Sequence, residues 1–169
     1  MARTVALVAL VALGAVLVAV VRAPVRPTGL DAVRGSRILR VRPAAVDRLA
    51  VSLDERRFAA RRAAGGWEID GRPASPAAAA ALEDLVQSLV SLRAVDVFRS
   101  RDASAYGLDR PQATIVVETP RGRRQVTLGA LNAAGSTVYA RRDNDPRIFQ
   151  LGTHLLTQLQ RVLYARDKL

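Results

Sequence analysis

The chain holds one histidine, His154, and no cysteine. A metal site built on imidazole would therefore need carboxylates for its other ligands, and a catalytic triad would need a nucleophile and an acid close to the ring. His154 follows Thr153 at the start of the last apolar-periodic segment, where a surface or capping-region histidine is expected. Asp143, Asn144 and Asp145 line up three oxygen-bearing side chains, but an EF-hand loop alternates its calcium ligands over about 12 residues. Here Pro146, Arg147, Ile148 and Phe149 follow directly, which is the composition of a turn. Glu68 and Asp70 stand two apart, so on a strand they share one face and could form a carboxylate pair, with no third partner in view. Gly65-Gly66 and the stretch from Gly129 to Gly135 lack the residues of a phosphate or dinucleotide loop. The reading is of no catalytic, cofactor-binding or metal-binding residue, and of a protein that is not an enzyme.

Two features are left for partner binding. The first is Tyr106-Gly107-Leu108-Asp109-Arg110-Pro111. Gly107 can take a positive φ, and Pro111 steers Arg110 away from helical geometry. This stretch reads either as a fixed corner with Tyr106 and Leu108 packed inside or as a partner-docking loop. The second is a pair of arginine clusters, Arg56, Arg57, Arg61 and Arg62 on one hairpin arm and Arg121, Arg123 and Arg124 on another. Solvated strand faces and edge protection explain them simply. If they converge, they form a basic patch for headgroups, acidic glycans or an acidic subunit. Trp67 is expected in the core, because a small aromatic-poor domain gains much by burying it.

The elements that must position these residues sit in a chain of 169 residues with a net charge of +11. The absence of cysteine excludes disulfide scaffolds, thiolate zinc sites, thiol nucleophiles and iron–sulfur centres. All basic residues but Lys168 are arginines, spread along the whole chain, so nucleic acid is a poor candidate partner despite the pI near 11.5. Thr4 to Val21 is an uncharged run, TVALVALVALGAVLVAVV, between Arg3 and Arg22. As a helix it spans roughly 27 Å, close to the ~30 Å hydrocarbon core of a bilayer. The junction Val21-Arg22-Ala23-Pro24 is a poor cleavage site, so an uncleaved single-pass anchor is expected. Arg22, Arg26, Arg34, Arg37 and Arg40 outnumber Arg3, which by the positive-inside rule would keep the following domain in the cytoplasm.

The expected organisation is a transmembrane anchor over 1–22, a flexible tether over 23–36 rich in Pro and Gly, and a folded domain over 37–169. Arg37 to Val41 reads as a short strand. Val46 to Leu53 alternates as a half-buried strand, Arg56 to Ala63 returns with Phe58 and Ala60 on one face, and Trp67 to Ile69 follows. Ser75-Pro76 opens a helix reaching about Arg93, with Leu82, Leu85, Val86, Leu89 and Leu92 as its stripe. Val95 to Phe98 is a strand. A second meander runs through Ala113 to Thr119, Arg123 to Leu128, Thr137 to Arg141 and Arg147 to Leu151, and a helix from about Thr153 closes the chain. The expected fold class is α+β: two antiparallel β-meanders, each followed by a helix, preceded by one N-terminal transmembrane helix. An internal duplication is one explanation of the repeated order.

Several stretches together resemble the bacterial DUF4340 domain family, whose members are often encoded beside gliding-motility-type ABC transporter components. They are Val46-Asp47-Arg48-Leu49, Gly66-Trp67-Glu68-Ile69, the helix with Leu85, Leu89 and Leu92, and Tyr106 to Pro111. Leu128-Gly129, Gly135 to Arg141 and Ile148-Phe149 complete the set, which covers about residues 37–165. The resemblance supplies no catalytic residues. It implies a membrane-anchored, non-catalytic accessory protein with its domain outside the cytoplasm, contrary to the arginine count, working with an ABC-transporter-like or envelope complex. The alternative is a basic binding module for anionic lipid, glycan or nucleic acid.

Overall fold

Alternation of apolar and polar residues puts one face of each strand in a core and leaves the other to solvent. In the computed structural model, which describes residues 35–167, that rule builds nine strands. Strand β1 (Arg48–Leu53) buries Leu49, Val51 and Leu53, and β2 (Arg56–Ala63) buries Phe58 and Ala60 on the same side. Next come β3 (Gly66–Ile69), the two-residue β4 (Arg72–Pro73) and helix α1 (Pro76–Ser91). Beyond α1 lie β5 (Asp96–Arg99), β6 (Ala113–Thr119), β7 (Gly122–Leu131), β8 (Thr137–Arg142), β9 (Arg147–Gly152) and helix α2 (His154–Arg166).

Helix α1 starts as its sequence dictates. Ser75 is extended and its hydroxyl accepts from the Ala78 N–H at 3.3 Å, and Pro76 follows in the first turn. The helix buries Ala78, Ala81, Leu82, Leu85, Val86, Leu89 and Val90. It stops at Ser91 because the next residues turn to pair with the start of the domain: Ile38 N–H donates to Leu92 O at 3.0 Å and Ala94 N–H to Ser36 O at 3.1 Å. Helix α2 packs against α1 and buries Leu155, Gln158, Leu159, Val162 and Leu163. Both helices share one core with Val51, Phe58, Trp67, Ile115, Val126, Leu128 and Phe149 from the sheet.

The expected fold class needs correction. The two meanders are not separate units: β1 pairs antiparallel with β6, Leu49 opposite Val117 and Ser52 opposite Thr114. The result is one nine-stranded antiparallel sheet in the order β4-β3-β2-β1-β6-β7-β8-β9-β5, with two helices. The physical reason is edge satisfaction. Each meander alone would leave the backbone groups of its first strand unpaired, and joining β1 to β6 removes both edges at once. The order is symmetric about the β1–β6 pair, except that β5 adds to the far side of β9. Neither described helix is long and apolar enough to cross a membrane, and the expected transmembrane helix and most of the tether lie outside the described residues. Arg37 to Val41 is not a strand either; it makes one bridge, Arg37 opposite Arg93, and buries the consecutive Ile38 and Leu39.

Candidate functional site

The stretch from Tyr106 to Pro111 is a corner anchored at both ends. Asp102 Oδ1 accepts from the N–H groups of Ser104 (3.0 Å) and Ala105 (3.3 Å) and from the Ser104 hydroxyl (2.5 Å), which holds its carboxyl below the usual range. A short 3-10 turn (Ser104–Tyr106) follows, and Gly107 reverses the chain at φ +67°. Leu108 is buried, whereas Pro111 is exposed. Tyr106 is half-buried, and its ring meets Tyr139 at 4.8 Å and Phe98 at 5.2 Å between centroids. Phe98 alternates with buried Val97, and Tyr139 with buried Val138 and Ala140, so this aromatic trio stands on the sheet face opposite the helices. Ile148, opposite Phe98 in the register, is buried yet stands apart from the helix-side core, as Leu108 does. The corner therefore covers the β8–β9–β5 end of a face that the helices leave bare.

The other end of that face stays open. Ala59, Ala50 and Val116 stand opposite one another on β2, β1 and β6 and line shallow cavities of about 390 and 350 Å³. Along one side runs a row of charges: Glu68, Arg61, Arg48, Glu118 and Arg123, one per strand from β3 to β7. Arg48 and Arg61 face each other directly, an unfavourable pairing of like charges. Each is offset by an outer carboxylate, Arg61 to Glu68 at 2.6 Å and Arg48 to Glu118 at 3.8 Å.

The first arginine cluster does not act as one patch. Period-two geometry sends Arg57 and Arg61 to the open face and Arg56 and Arg62 to the helix side. Arg56 pairs with Asp167 beyond the end of α2. Arg62 donates to both oxygens of Glu83 (2.7 and 2.9 Å), bonds Val46 O through Nε, and lies 4.5 Å over the Trp67 ring. The Trp67 indole, buried as expected, donates to Glu83 Oε1 at 2.9 Å. Chiefly the Arg62 hydrogen bonds hold the Glu83 carboxyl below its ordinary range.

The second cluster divides as well. Arg123 joins the charge row opposite Glu118, while Arg121 and Arg124 meet Arg37, Arg40 and Arg42 around a separate cleft. Arg37 and Arg40 enter the sequence reading as flanking charges that bear on orientation, not as a site, and Arg42 not at all, although the close spacing of the three was the available signal.

The remaining candidates lie apart from one another or hydrogen-bond to their own surroundings. His154 is exposed in the first turn of α2, with its Nε2 3.0 Å from the Gln158 amide. Asp145 pins its own hairpin: Oδ1 accepts from Arg147 N (3.0 Å) and Nε (2.8 Å), and Oδ2 from Arg147 Nη2 (2.6 Å) and Arg142 Nε (3.2 Å). Asp143 accepts from Gln125 N at 2.8 Å. Glu68 and Asp70 border the same cavity, but Asp70 lies past the end of β3 with φ +50°, and its Oδ1 accepts from Ala59 N. Among the described residues no group of three or more His, Cys, Asp or Glu could hold a metal ion.

A family model described as a domain of unknown function, DUF4340, matches residues 16–111 and again residues 67–163. The matches reach across well over half of the chain and include both the Trp67 clamp and the Tyr106 corner. Comparison with the curated proteins and with the solved structures finds no match.

Proposed function

The chain belongs to the DUF4340 family, and we propose that it is a membrane-held, non-catalytic interaction protein. Its partner is an ABC-transporter-like or envelope complex at the outer side of the cytoplasmic membrane. The uncharged run Thr4–Val21 is the segment that holds it there. The side of the membrane and the class of partner come from the family resemblance. One observation carries the interaction reading: the strip of exposed Ala59 and Ala50 beside the largely buried Val116, on the face opposite the helices and bordered by the mixed charges from Glu68 to Arg123. A small-residue, apolar centre with a charged rim suits a protein surface better than a reaction centre.

The test places a photoreactive benzoylphenylalanine at Ala59 in the full chain, inside cells, with a topology reporter fused after Leu169. The expected result is a carbonate-resistant membrane fraction, a reporter active outside the cytoplasm, and a crosslink to a transporter or envelope subunit. Recovery of the chain in the aqueous fraction overturns the anchoring. A probe at Ala59 that crosslinks no more than one at exposed Arg99 overturns the docking strip.

A further inference from the structure

Several arginines of the described domain are matched to carboxylates. Arg48 pairs with Glu118, Arg61 with Glu68, Arg62 with Glu83, Arg147 with Asp145, Arg161 with Asp84 and Arg166 with Asp70. Others, Arg57 and Arg99 among them, make no ion pair among the described residues, and one group of such arginines is gathered around a single cleft. The segment leading into β1 and the β6–β7 turn enclose a cleft of about 590 Å³ lined by Arg37, Arg40, Arg42, Arg121 and Arg124, and no carboxylate lines it. Arg42 precedes the 3-10 turn at Pro43–Ala45, and Gly122, at φ +117°, closes the hairpin opposite. All five arginines are exposed, and among the described residues none of them makes an ion pair. Two carboxylates, Asp143 and Asp145, border an adjoining cavity that shares Arg40 and Arg124. Asp145 is already engaged by Arg142 and Arg147, so it does little to offset the charge of the cleft.

Five guanidinium groups around one concavity repel one another, and the arrangement costs free energy unless an anion fills it. We propose that this cleft is a binding site for a phosphate group. Guanidinium forks match phosphate oxygens two at a time, and several arginines can surround one multiply charged group. The volume lies within the range of small-ligand sites, large enough for a phosphate with a glycerol-sized substituent. The same chemistry is presented by free phosphate esters and by anionic phospholipid headgroups. The site is separate from the docking strip, and its occupation by free phosphate does not depend on membrane anchoring.

The test follows phenylglyoxal modification of each arginine by mass spectrometry, using the full chain in a non-ionic detergent. One arm adds inorganic phosphate, a second adds glycerol phosphate, and a third moves the protein into phosphatidylcholine discs with or without about one part in three phosphatidylglycerol. The expected result is that labelling of Arg37, Arg40, Arg42, Arg121 and Arg124 slows about tenfold at a ligand concentration about ten times the dissociation constant. Arg57 and Arg99, exposed and outside the cleft, stay reactive. Protection in all arms identifies a free phosphate site. Protection only by phosphatidylglycerol identifies the headgroup as the source. The double variant Arg40→Gln, Arg124→Gln removes two exposed groups and abolishes protection at the remaining three, with an unchanged circular dichroism spectrum. Absence of protection in every arm, or equal protection at Arg57 and Arg99, overturns the proposal.

Discussion

The carbonyl oxygen of Tyr106 lies against Gly129 so closely that a Cβ on Gly129 would stand 2.1 Å from it. The reverse holds one residue on: a Cβ on Gly107 would stand 2.8 Å from Ala130 N. The corner and β7 therefore meet backbone to backbone, where β7 shifts register between Leu128 and Leu131. The Gln112 side-chain amide donates to the Gly129 carbonyl across the same contact. Gly129→Ala is expected to lower stability by about 3 kcal/mol, since the strand must move to admit a methyl group. Gly135→Ala is the control: its φ is +67° but nothing lies within 4 Å of the new Cβ, so the cost is about 1 kcal/mol. Denaturant unfolding of the full chain in detergent measures both. Equal costs at the two positions would show that the close contact does not matter.

Asp145 predicts a pH dependence. Hydrogen bonds from Arg147, chiefly from its guanidinium, lower its carboxyl from the ordinary 3.8 to about 2. A carboxylate with a depressed folded pKa adds stability that is complete above its unfolded value and is lost as the pH falls towards the folded one. The window is therefore from about pH 5 down to about pH 2, and the loss is about 2 kcal/mol, the side chain being only 12% exposed. Asp145→Asn is expected to flatten that part of the stability profile and to lower stability at neutral pH. A variant whose acid profile overlays the parent chain would remove Asp145 as the cause.

Period-two alternation made most strands legible. Arg56 to Ala63 was delimited by it to the residue, because one face is buried and the other wet, whereas Ala113 to Thr119 was delimited by its β-branched run. The same alternation already separated Arg57 and Arg61 from Arg56 and Arg62, so their division between two faces was readable in advance. Strand β4 was not, since two residues ending in Pro73 carry no period. Nor was the β1–β6 pairing that fuses the meanders, because it joins residues 60 to 70 apart and no local signal encodes it. Ile38 and Leu39 misled for a physical reason: both are buried, which a half-exposed strand does not allow for neighbours. The arginine cleft needed that same long-range placement, bringing residues 37–42 against residues 119–124.

The contact between the two helices is expected to carry much of the domain's stability. Leu85 on α1 and Leu159 on α2 are fully buried in the shared core. Leu85→Ala removes three carbons from a packed site and is expected to cost about 3 kcal/mol. Gln87, exposed on the same helix, provides the comparison: Gln87→Ala is expected to change stability by less than about 0.5 kcal/mol. Thermal unfolding of the three chains in parallel checks this, and a Leu85→Ala protein as stable as Gln87→Ala would mean that the helices do not pack as described.

Arg62 offers the sharpest test of the clamp that closes the β2–β3 end of the sheet. Its guanidinium serves both Glu83 oxygens, the Val46 carbonyl and the face of Trp67 at once. Lysine has one ammonium group and no planar fork, so Arg62→Lys keeps the charge but cannot hold all four contacts. The Glu83 side chain is 42% exposed, so solvent screens the pair and the expected loss is about 1 kcal/mol. Two local readouts should move with it. The Glu83 carboxyl, lowered chiefly by the Arg62 hydrogen bonds, should titrate nearer its ordinary value, so its share of stability is lost at a higher pH as acid is added. The Trp67 indole N–H, which donates to the same Glu83 oxygen, should shift in a proton–nitrogen correlation spectrum. If Arg62→Lys leaves the Glu83 midpoint, the indole resonance and the unfolding midpoint all in place, then charge alone, and not the fork and the stack, orders this end of the sheet.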